Sequence, residues 1–152
     1  IQLVNDVEGN LTQIQNAGKA GFRGFDASLH YTILKNLDLT SSYSFIIQKN
    51  LSDPDLRFTD VPKHKVWNHL SYQPTSWVKA GLIHEYYSRR YSRSYGIMAG
   101  EFHLFNLQGA FSWKQLTLYA GLNNLFDTNY AYAEGYPEAG RNYFTKLVFR
   151  LN

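Results

Sequence analysis

Apolar and polar residues alternate over several long stretches of the chain. Between positions 25 and 33 the apolar set is Phe25, Ala27, Leu29, Tyr31 and Ile33, and the polar set between them is Asp26, Ser28, His30 and Thr32. A period of two over this length predicts a β-strand with one apolar face. The same alternation predicts strands at 37–47, 104–113, 116–123 and 146–151. Strands are also predicted at 66–72 and 77–87, but the sequence does not separate their two faces.

The connections between these strands alternate in length. Short turns near residues 35, 75 and 114 trade places with long polar loops at 49–65, 88–100 and 128–140. Short turns at one end and long loops at the other are typical of a transmembrane meander. The pattern therefore predicts an all-β, antiparallel up-and-down meander of about seven to eight strands. No helix is predicted.

The composition is consistent with a strand meander whose surface is apolar in the middle and in contact with water at both ends. The chain has 12 Tyr and 10 Phe among 152 residues, only 18% charged residues and no Cys. No apolar run reaches the eighteen or so residues of a transmembrane helix. The net charge of +3 is too small to indicate a partner by itself. Residues 1–4 are interpreted as the end of a strand, followed by a turn at 5–10, so the sequence is expected to be a piece of a longer protein.

Four segments carry a family likeness. Near the end, Asn123-Asn124-Leu125-Phe126-Asp127 is followed by Tyr130, and Gly135-Tyr136-Pro137 by Gly140-Arg141-Asn142-Tyr143-Phe144. Upstream, Asn16-Ala17-Gly18-Lys19-Ala20 leads to Gly24-Phe25-Asp26, and Val61-Pro62-Lys63-His64 closes a loop. In this order the segments resemble those of TonB-dependent outer-membrane receptors. One departure is the last residue, Asn152, where the family usually ends on an aromatic.

The resemblance implies a fold, a location and a function. It makes residues 1–152 the C-terminal segment of a 22-stranded transmembrane barrel with a plugged lumen, in the bacterial outer membrane. The plug and the N-terminal barrel strands would lie outside this sequence. The receptor would take up a ferric siderophore, haem, cobalamin or a similar scarce ligand. Its partners would be outer-membrane lipid and lipopolysaccharide, and TonB through the plug of the longer protein; no nucleic acid is expected.

The resemblance also assigns structural roles to the motif residues. Leu125 and Phe126 are expected at the outer interface, Asp127 and Asn129 at the start of a loop, and Arg141 beside a carboxylate of a neighbouring strand. The full structural set is Gly24, Asp26, Pro62, Asn124, Leu125, Phe126, Asp127, Tyr130, Gly140, Arg141 and Phe144. A barrel fragment has open edges, here expected at residues 1–4 and at the last strand. Such edges would associate with another copy or close artificially.

The basic and aromatic loop residues are the candidate ligand site. Guanidinium groups interleaved with phenols suit an anionic or catecholate ligand, and the same pattern could bind the phosphates of nucleic acid or of lipopolysaccharide. The set is Arg57, Arg89, Arg90, Tyr91, Arg93 and Tyr95. The plainer interpretation, a solvated loop at the membrane rim, stays open.

Other chemistry is not indicated. None of the five histidines has another histidine at metal-ligand spacing, and His30 and His103 are expected to line the lumen. Asp53, Asp55 and Asp60 do not follow the spacing of a calcium loop. We expect no cofactor, no metal site and no catalysis.

Two alternatives remain from the sequence. One is a small independent outer-membrane barrel of eight strands with an adhesive, lipid-handling or structural role. The other is a soluble β module that binds a ligand in an apolar interior.

Overall fold

The computed structural model describes residues 2–7, 11–15 and 18–151, and within them the ordered elements are β-strands. In chain order they are β1 (Gln2–Val7), β2 (Leu11–Gln15), β3 (Ala20–Leu34), β4 (Leu37–Asn50), β5 (His64–Thr75), β6 (Val78–Tyr87), β7 (Arg90–Tyr91), β8 (Met98–Ala99), β9 (Phe102–Trp113), β10 (Leu116–Asn123), β11 (Ala131–Ala133), β12 (Tyr136–Pro137) and β13 (Asn142–Phe149). In the part of the chain that the structure describes, no helix is long and apolar enough to cross a membrane.

Seven long strands form one antiparallel sheet in the order β13-β10-β9-β6-β5-β4-β3. Each long strand pairs with the next long strand of the chain, so the predicted up-and-down meander is confirmed. Three two-stranded sheets, β1-β2, β7-β8 and β11-β12, accompany it. The last two of these belong to the second and third long loops.

The predicted sorting of connections by length is also confirmed. Two-residue turns join β3 to β4, β5 to β6 and β9 to β10 at one end. At the other end lie the long connections 51–63, 88–101 and 124–141. The turn predicted at residues 73–76 is shorter than expected, because β5 continues to Thr75 across an irregularity in its register that contains Pro74.

Strand register assigns the two faces of the sheet. Residues that lie opposite each other in an antiparallel pair share a face. One such row crosses all seven strands, and apart from a tyrosine at each edge it consists of leucine: Tyr31, Leu39, Leu70, Leu82, Leu107, Leu122 and Tyr143. The neighbouring row on the other face is mainly polar: His30, Thr40, His69, Ile83 and Asn106. The sheet therefore has one apolar and one polar face.

The apolar face is open. In the described chain the buried hydrophobic side chains are only Leu56, Phe102 and Leu104, whereas Leu29 is 58% and Leu147 67% exposed. An apolar surface of this extent requires a cover, and lipid is the cover that suits a meander with this loop pattern. Aromatics lie at both ends of the face, with Trp77 and Trp113 at the turns and Tyr86, Phe105 and Phe126 at the loops.

One predicted edge is placed differently. The described residues of the first segment, Gln2–Val7, pair with β2 rather than with the large sheet, so the edges of the seven-stranded sheet are β3 and β13. The expectation that residues 1–4 form one edge of that sheet is therefore wrong. β1 also extends into the predicted turn. Positions 1, 8–10, 16–17 and 152 lie outside the described residues. They include the motif residues Asn16 and Ala17 and the terminal Asn152.

The face assignment predicts the effect of a buried charge. Leu107 lies six residues from Trp113, or roughly 15 Å above the turns for a strand tilted by about 40°, near the middle of an apolar band about 25 Å high. In lipid vesicles, we expect Leu107→Arg to lower the free energy of unfolding of the protein by about 2–4 kcal/mol. Denaturant titration followed by tryptophan fluorescence measures the change.

The matched control is Gln108→Arg, the next residue on the polar face. It is expected to change the free energy of unfolding by less than about 1 kcal/mol, because the introduced charge stays on the polar face of the sheet, in contact with water. Equal losses for the two variants would contradict the face assignment.

Candidate ligand site at the loop end of the sheet

The three long loops are tied to one another above the ends of the strands. The backbone amide of Arg57 donates to the carbonyl of Ser94 over 2.8 Å, and that of Asp60 donates to the carbonyl of Tyr91 over 2.8 Å. The amide of Glu134 donates to the Asp60 carboxylate over 3.3 Å. The first loop therefore contacts both of the others, and the three form one layer.

A pocket of about 310 Å³ opens between the first and second loops. It brings together four of the six predicted site residues, Arg57, Arg89, Arg90 and Tyr91. The rest of its lining is mainly apolar: Ile46, Ile47, Gln48, Phe58, Val61, Lys63 and Met98. Such a cavity, with several cations over an apolar floor, suits an anionic ligand that carries aromatic rings.

The six predicted residues differ in accessibility. Arg57, Arg89 and Tyr95 are exposed, while Tyr91 and Arg93 are half-buried. The Arg57 guanidinium lies over the Tyr91 ring, 5.8 Å from its centroid, which makes a cation–π pair at the pocket. Arg93 and Tyr95 are not among the lining residues of this pocket.

Arg90 supports the loops from below. It is 5% exposed, and its guanidinium lies 5.4 Å from the centroid of Phe102. Its Nη1 donates to the Gly100 carbonyl over 3.4 Å, and its Nη2 donates to the carbonyl of Ala131. Arg90 thus links the second loop to the third, while its buried Nε has no hydrogen-bond partner among the described residues.

An aromatic cluster lies under the loops on the polar face. Tyr87 stacks on Phe102 with centroids 4.9 Å apart, and Tyr132 meets Tyr87 at 5.3 Å in an edge-on contact. Tyr130 packs on Phe102 at 5.1 Å. Burial raises the pKa of Tyr130 and of Tyr132 above the ordinary value for a phenol. These tyrosines therefore stay neutral at physiological pH and keep their O–H groups as donors.

Three members of this cluster were not predicted from the sequence: Tyr87, Phe102 and Tyr132. The signal that would identify them is an aromatic side chain on the polar face within a few residues of a long loop. Ser92 and Ser94 were also missed, although they are the most deeply buried side chains of the loops.

The C-terminal motif builds a locked turn. Asn124 is buried with a φ of 52°, and its side chain accepts from the amide of Thr128 over 2.8 Å and donates to the Thr128 carbonyl over 2.9 Å. Asp127, with a φ of 55°, accepts from the amide of Arg141 over 2.7 Å. Asn and Asp tolerate this left-handed backbone better than most residues do. A Cβ at Gly140 would lie 2.7 Å from the same Asp127 carboxylate, so a side chain there would force a shift.

Arg141 does not make the predicted contact. Its bond to Asp127 uses the backbone amide and a loop carboxylate, and among the described residues its side chain forms no ion pair with a strand. The reason is that Arg141 precedes β13, beside the loop rather than beside a neighbouring strand.

The other motif residues lie as follows. The amide of Leu125 donates to the carbonyl of Phe105 over 2.7 Å, and Phe126 is 65% exposed with its ring edge-on to Phe105 at the loop end of the apolar face.

Gly24 lies against the carbonyl of Phe45, and the Phe144 ring covers Gly121. Asp26 is exposed on the polar face opposite Ser44, and Pro62 is buried.

The two histidines that were expected in the lumen, His30 and His103, lie on different faces of the sheet. His30 lies on the polar face with Thr40 and Asp38, as predicted. The expectation for His103 is wrong, because the register places it opposite Tyr86 on the apolar face, where it stacks on His84. Among the described residues no three His, Cys, Asp or Glu side chains gather closely enough to hold a metal ion.

Comparison with known proteins gives a consistent result. Residues 1–125 match the family model described as TonB dependent receptor-like, beta-barrel. A structure titled copper transporter OprC superposes with a TM-score of 0.76 at 26% identity, over 97% of this chain and 26% of that one. The siderophore receptor PirA from Acinetobacter baumannii superposes with a TM-score of 0.77 at 16% identity, over 97% of this chain and 25% of that one. The ferripyoverdine receptor of the outer membrane of Pseudomonas aeruginosa gives 0.70 at 16% identity, over 86% of this chain and 19% of that one. This chain therefore spans about a quarter or less of these proteins.

The locked turn generates a stability prediction. Asn124→Ala removes a buried side chain that bonds both the amide and the carbonyl of Thr128. We expect a loss of about 1–3 kcal/mol in unfolding free energy, measured by denaturant titration in detergent. Asn129→Ala is the control, since Asn129 is exposed in the same loop. A loss at Asn129 as large as that at Asn124 would contradict the locked turn.

Proposed function

Because the chain belongs to the TonB-dependent receptor β-barrel family, whose members lie in the outer membrane of Gram-negative bacteria, we propose that it forms part of an outer-membrane active transporter. The seven-stranded sheet is a sector of the barrel wall, with its apolar face toward lipid and its polar face toward the lumen. The three tied loops form part of the extracellular mouth. The transported ligand is an iron chelate, haem, a cobalamin or a similarly scarce compound.

The pocket between the first two loops is the observation that carries this proposal. It combines three guanidinium groups with a phenol over an apolar floor, which is the chemistry of binding an anionic, ring-bearing ligand. The aromatic cluster beneath it continues that surface toward the polar face of the sheet. The solved structures with similar folds are titled as siderophore receptors and a copper transporter.

We favour a chelate over a bare metal ion as the ligand of this part of the receptor. The described residues offer no group of three His, Cys, Asp or Glu side chains suited to a metal ion. The arginines that line the pocket, Arg57, Arg89 and Arg90, would instead repel a bare metal cation and attract an anionic chelate such as a ferric catecholate. Haem, with its two propionates, fits the same surface.

The rest of the receptor would complete the barrel. Energy would reach the transporter through TonB and a plug contributed by the longer protein.

The alternatives are less well supported. A small independent barrel has to close, yet in the described chain β3 and β13 are not paired with each other, and open strand edges are not tolerated in lipid. A soluble ligand-binding module has to bury its apolar side chains, whereas this sheet leaves the leucine and aromatic face open.

Equilibrium binding tests the proposal. The full-length receptor in detergent is titrated with a ferric catecholate, a cationic ferric hydroxamate, haem and cyanocobalamin. We expect the anionic chelate to bind, and Arg57→Gln and Arg89→Gln each to raise its Kd by about tenfold, since each removes a charged hydrogen bond.

Arg150→Gln is the matched control, because Arg150 lies beside the turns at the opposite end of the sheet. It is expected to leave the Kd unchanged. Binding of the cationic hydroxamate alone, or equal affinity in all the variants, would contradict the proposed pocket.

A further inference from the structure

A small cavity of about 210 Å³ opens on the polar face of the large sheet, toward the end that carries the two-residue turns. The register places Gly81 on this face, opposite Gln108 of β9. We call the cavity the Gly81 notch, because the missing side chain at this position leaves its floor open. Its larger lining side chains are those of His69, Lys79, Gln108, Tyr119 and Phe144, and its other lining residues are all glycine or alanine.

Two nitrogen atoms converge above Gly81. A Cβ atom at this position would lie 2.9 Å from His69 Nε2 and 3.2 Å from Gln108 Nε2. His69 Nε2 is shielded from solvent and has no hydrogen-bond partner among the described residues. Because a buried polar atom without a partner is costly, native structures nearly always supply one. The imidazole therefore indicates that another group binds in the notch.

The notch differs from the rest of the polar face in how its polar side chains are paired. Elsewhere on this face, polar side chains bond to the opposite residue of the next strand, as in the pairs Ser28–Ser42 and His30–Thr40. Around the notch, the side chains of Lys79, Gln108 and Tyr119 form no hydrogen bond or ion pair with another described residue. Their donors are therefore available to a ligand.

The charge around the notch favours an anion. Lys79 lines the cavity, and no carboxylate is among the lining residues. A second cation, Lys146, lies opposite Tyr119 in the pair of β10 and β13 and so shares its face. An ammonium group together with amide, phenol and imidazole donors is suited to bind a carboxylate by charge-assisted hydrogen bonds.

The shape of the notch favours a flat, apolar group beside that anion. The Phe144 ring lies over Gly121 of the next strand and forms one wall of the cavity. An aromatic ring is the group that packs best against another ring. Sites for drug-sized ligands usually have volumes of about 300–1,000 Å³, so this smaller cavity is suited to a single ring with its substituents.

We propose that the Gly81 notch binds an aromatic carboxylate. The carboxylate accepts hydrogen bonds from Lys79, His69 and Gln108, and the ring packs against Phe144. This site rests on the proposed function in one respect, since the polar face is taken as the wall of the lumen. In that arrangement the notch lies inward of the loop pocket, so an anionic ring that leaves the loops reaches it next.

Fluorine NMR of the protein in detergent tests the site. The probe is para-fluorobenzoate, and the comparison is para-fluorobenzamide, which has nearly the same shape but no charge. We expect Lys79→Gln and His69→Leu each to raise the Kd of para-fluorobenzoate by about tenfold, since each removes a hydrogen bond to the carboxylate. Para-fluorobenzamide is expected to bind wild type more weakly than para-fluorobenzoate does, and to bind Lys79→Gln as it binds wild type.

Two further variants separate contact with the ligand from general damage to the fold. Gly81→Ala keeps every polar group and adds one methyl group where the two nitrogens converge, so it is expected to raise the Kd by about tenfold as well. His69→Gln restores an N–H donor and is expected to stay within about threefold of wild type. Should Gly81→Ala not fold, Lys79→Gln and the comparison of His69→Gln with His69→Leu still decide.

The matched controls are His30→Leu and Lys35→Gln. His30 lies on the same face but bonds to Thr40, and Lys35 lies in the turn between β3 and β4. Both variants are expected to leave the Kd of para-fluorobenzoate unchanged. Equal affinity in wild type, Lys79→Gln and His69→Leu would overturn the site. Binding of para-fluorobenzamide as tight as that of para-fluorobenzoate would do the same.

An acidic side chain from another part of the protein is the competing occupant of the notch. In that case wild type binds no para-fluorobenzoate, and Lys79→Gln lowers the free energy of unfolding measured by denaturant titration. This combination of results would overturn the proposed ligand in favour of an internal ion pair.

The notch and the loop pocket can fail separately. In Arg57→Gln, the part of para-fluorobenzoate binding that depends on Lys79 is expected to remain, and Lys79→Gln is expected to leave the Kd of the ferric catecholate at the loops unchanged. Chelate binding at the loops with no effect of Lys79 on the probe would contradict the notch alone. Probe binding at the notch with no chelate binding would support the notch and contradict the ligand proposed for the transporter.

Discussion

The register of the antiparallel sheet is the constraint on which the rest of this structure depends. Backbone hydrogen bonds fix which residues lie opposite one another, and a slip of one residue would exchange the two faces of a strand. In this sheet the register carries one leucine row across five interior strands while the polar row beside it stays on the other face. The two-residue turns limit slippage, because each pair starts at a tight connection. The lipid-facing and lumen-facing surfaces both follow from this single set of pairings.

The loop layer is a product of the same register. The three connections from β4 to β5, from β6 to β9 and from β10 to β13 leave the sheet at the same end, so their residues meet there, and none of the described residues of these loops forms a helix. A small number of hydrogen bonds between loops holds them together, above all those of Arg90 to Ala131 and of Asp60 to Tyr91 and Glu134. The aromatic cluster under Arg90 fills the space that a soluble protein would fill with aliphatic side chains.

Much of the fold could be predicted from the sequence, because β3, β4, β9, β10 and β13 alternate cleanly and the loops sort by length. The faces of β5 and β6 could not, since Asn68 and His84 lie on the apolar face and Trp67 on the polar one; only pairing with neighbours assigns them. The prediction for His103 was wrong for the same reason: a polar side chain suggested the lumen, whereas the strand register places it on the apolar face. The basic loop was found from composition, yet its sequence does not distinguish Arg90, buried under a neighbouring loop, from the exposed Arg89 beside it.

The hydrogen bonds of Arg90 affect how the three long loops can move. Its guanidinium joins the second loop to the third, while the bonds of Arg57 and Asp60 join the first loop to the second. Loops connected in this way open as one cooperative unit, because a ligand that displaces any one of them also strains the bonds to the other two. We therefore expect these three loops to move as a single lid, hinged where the strands end, rather than as three independent flaps.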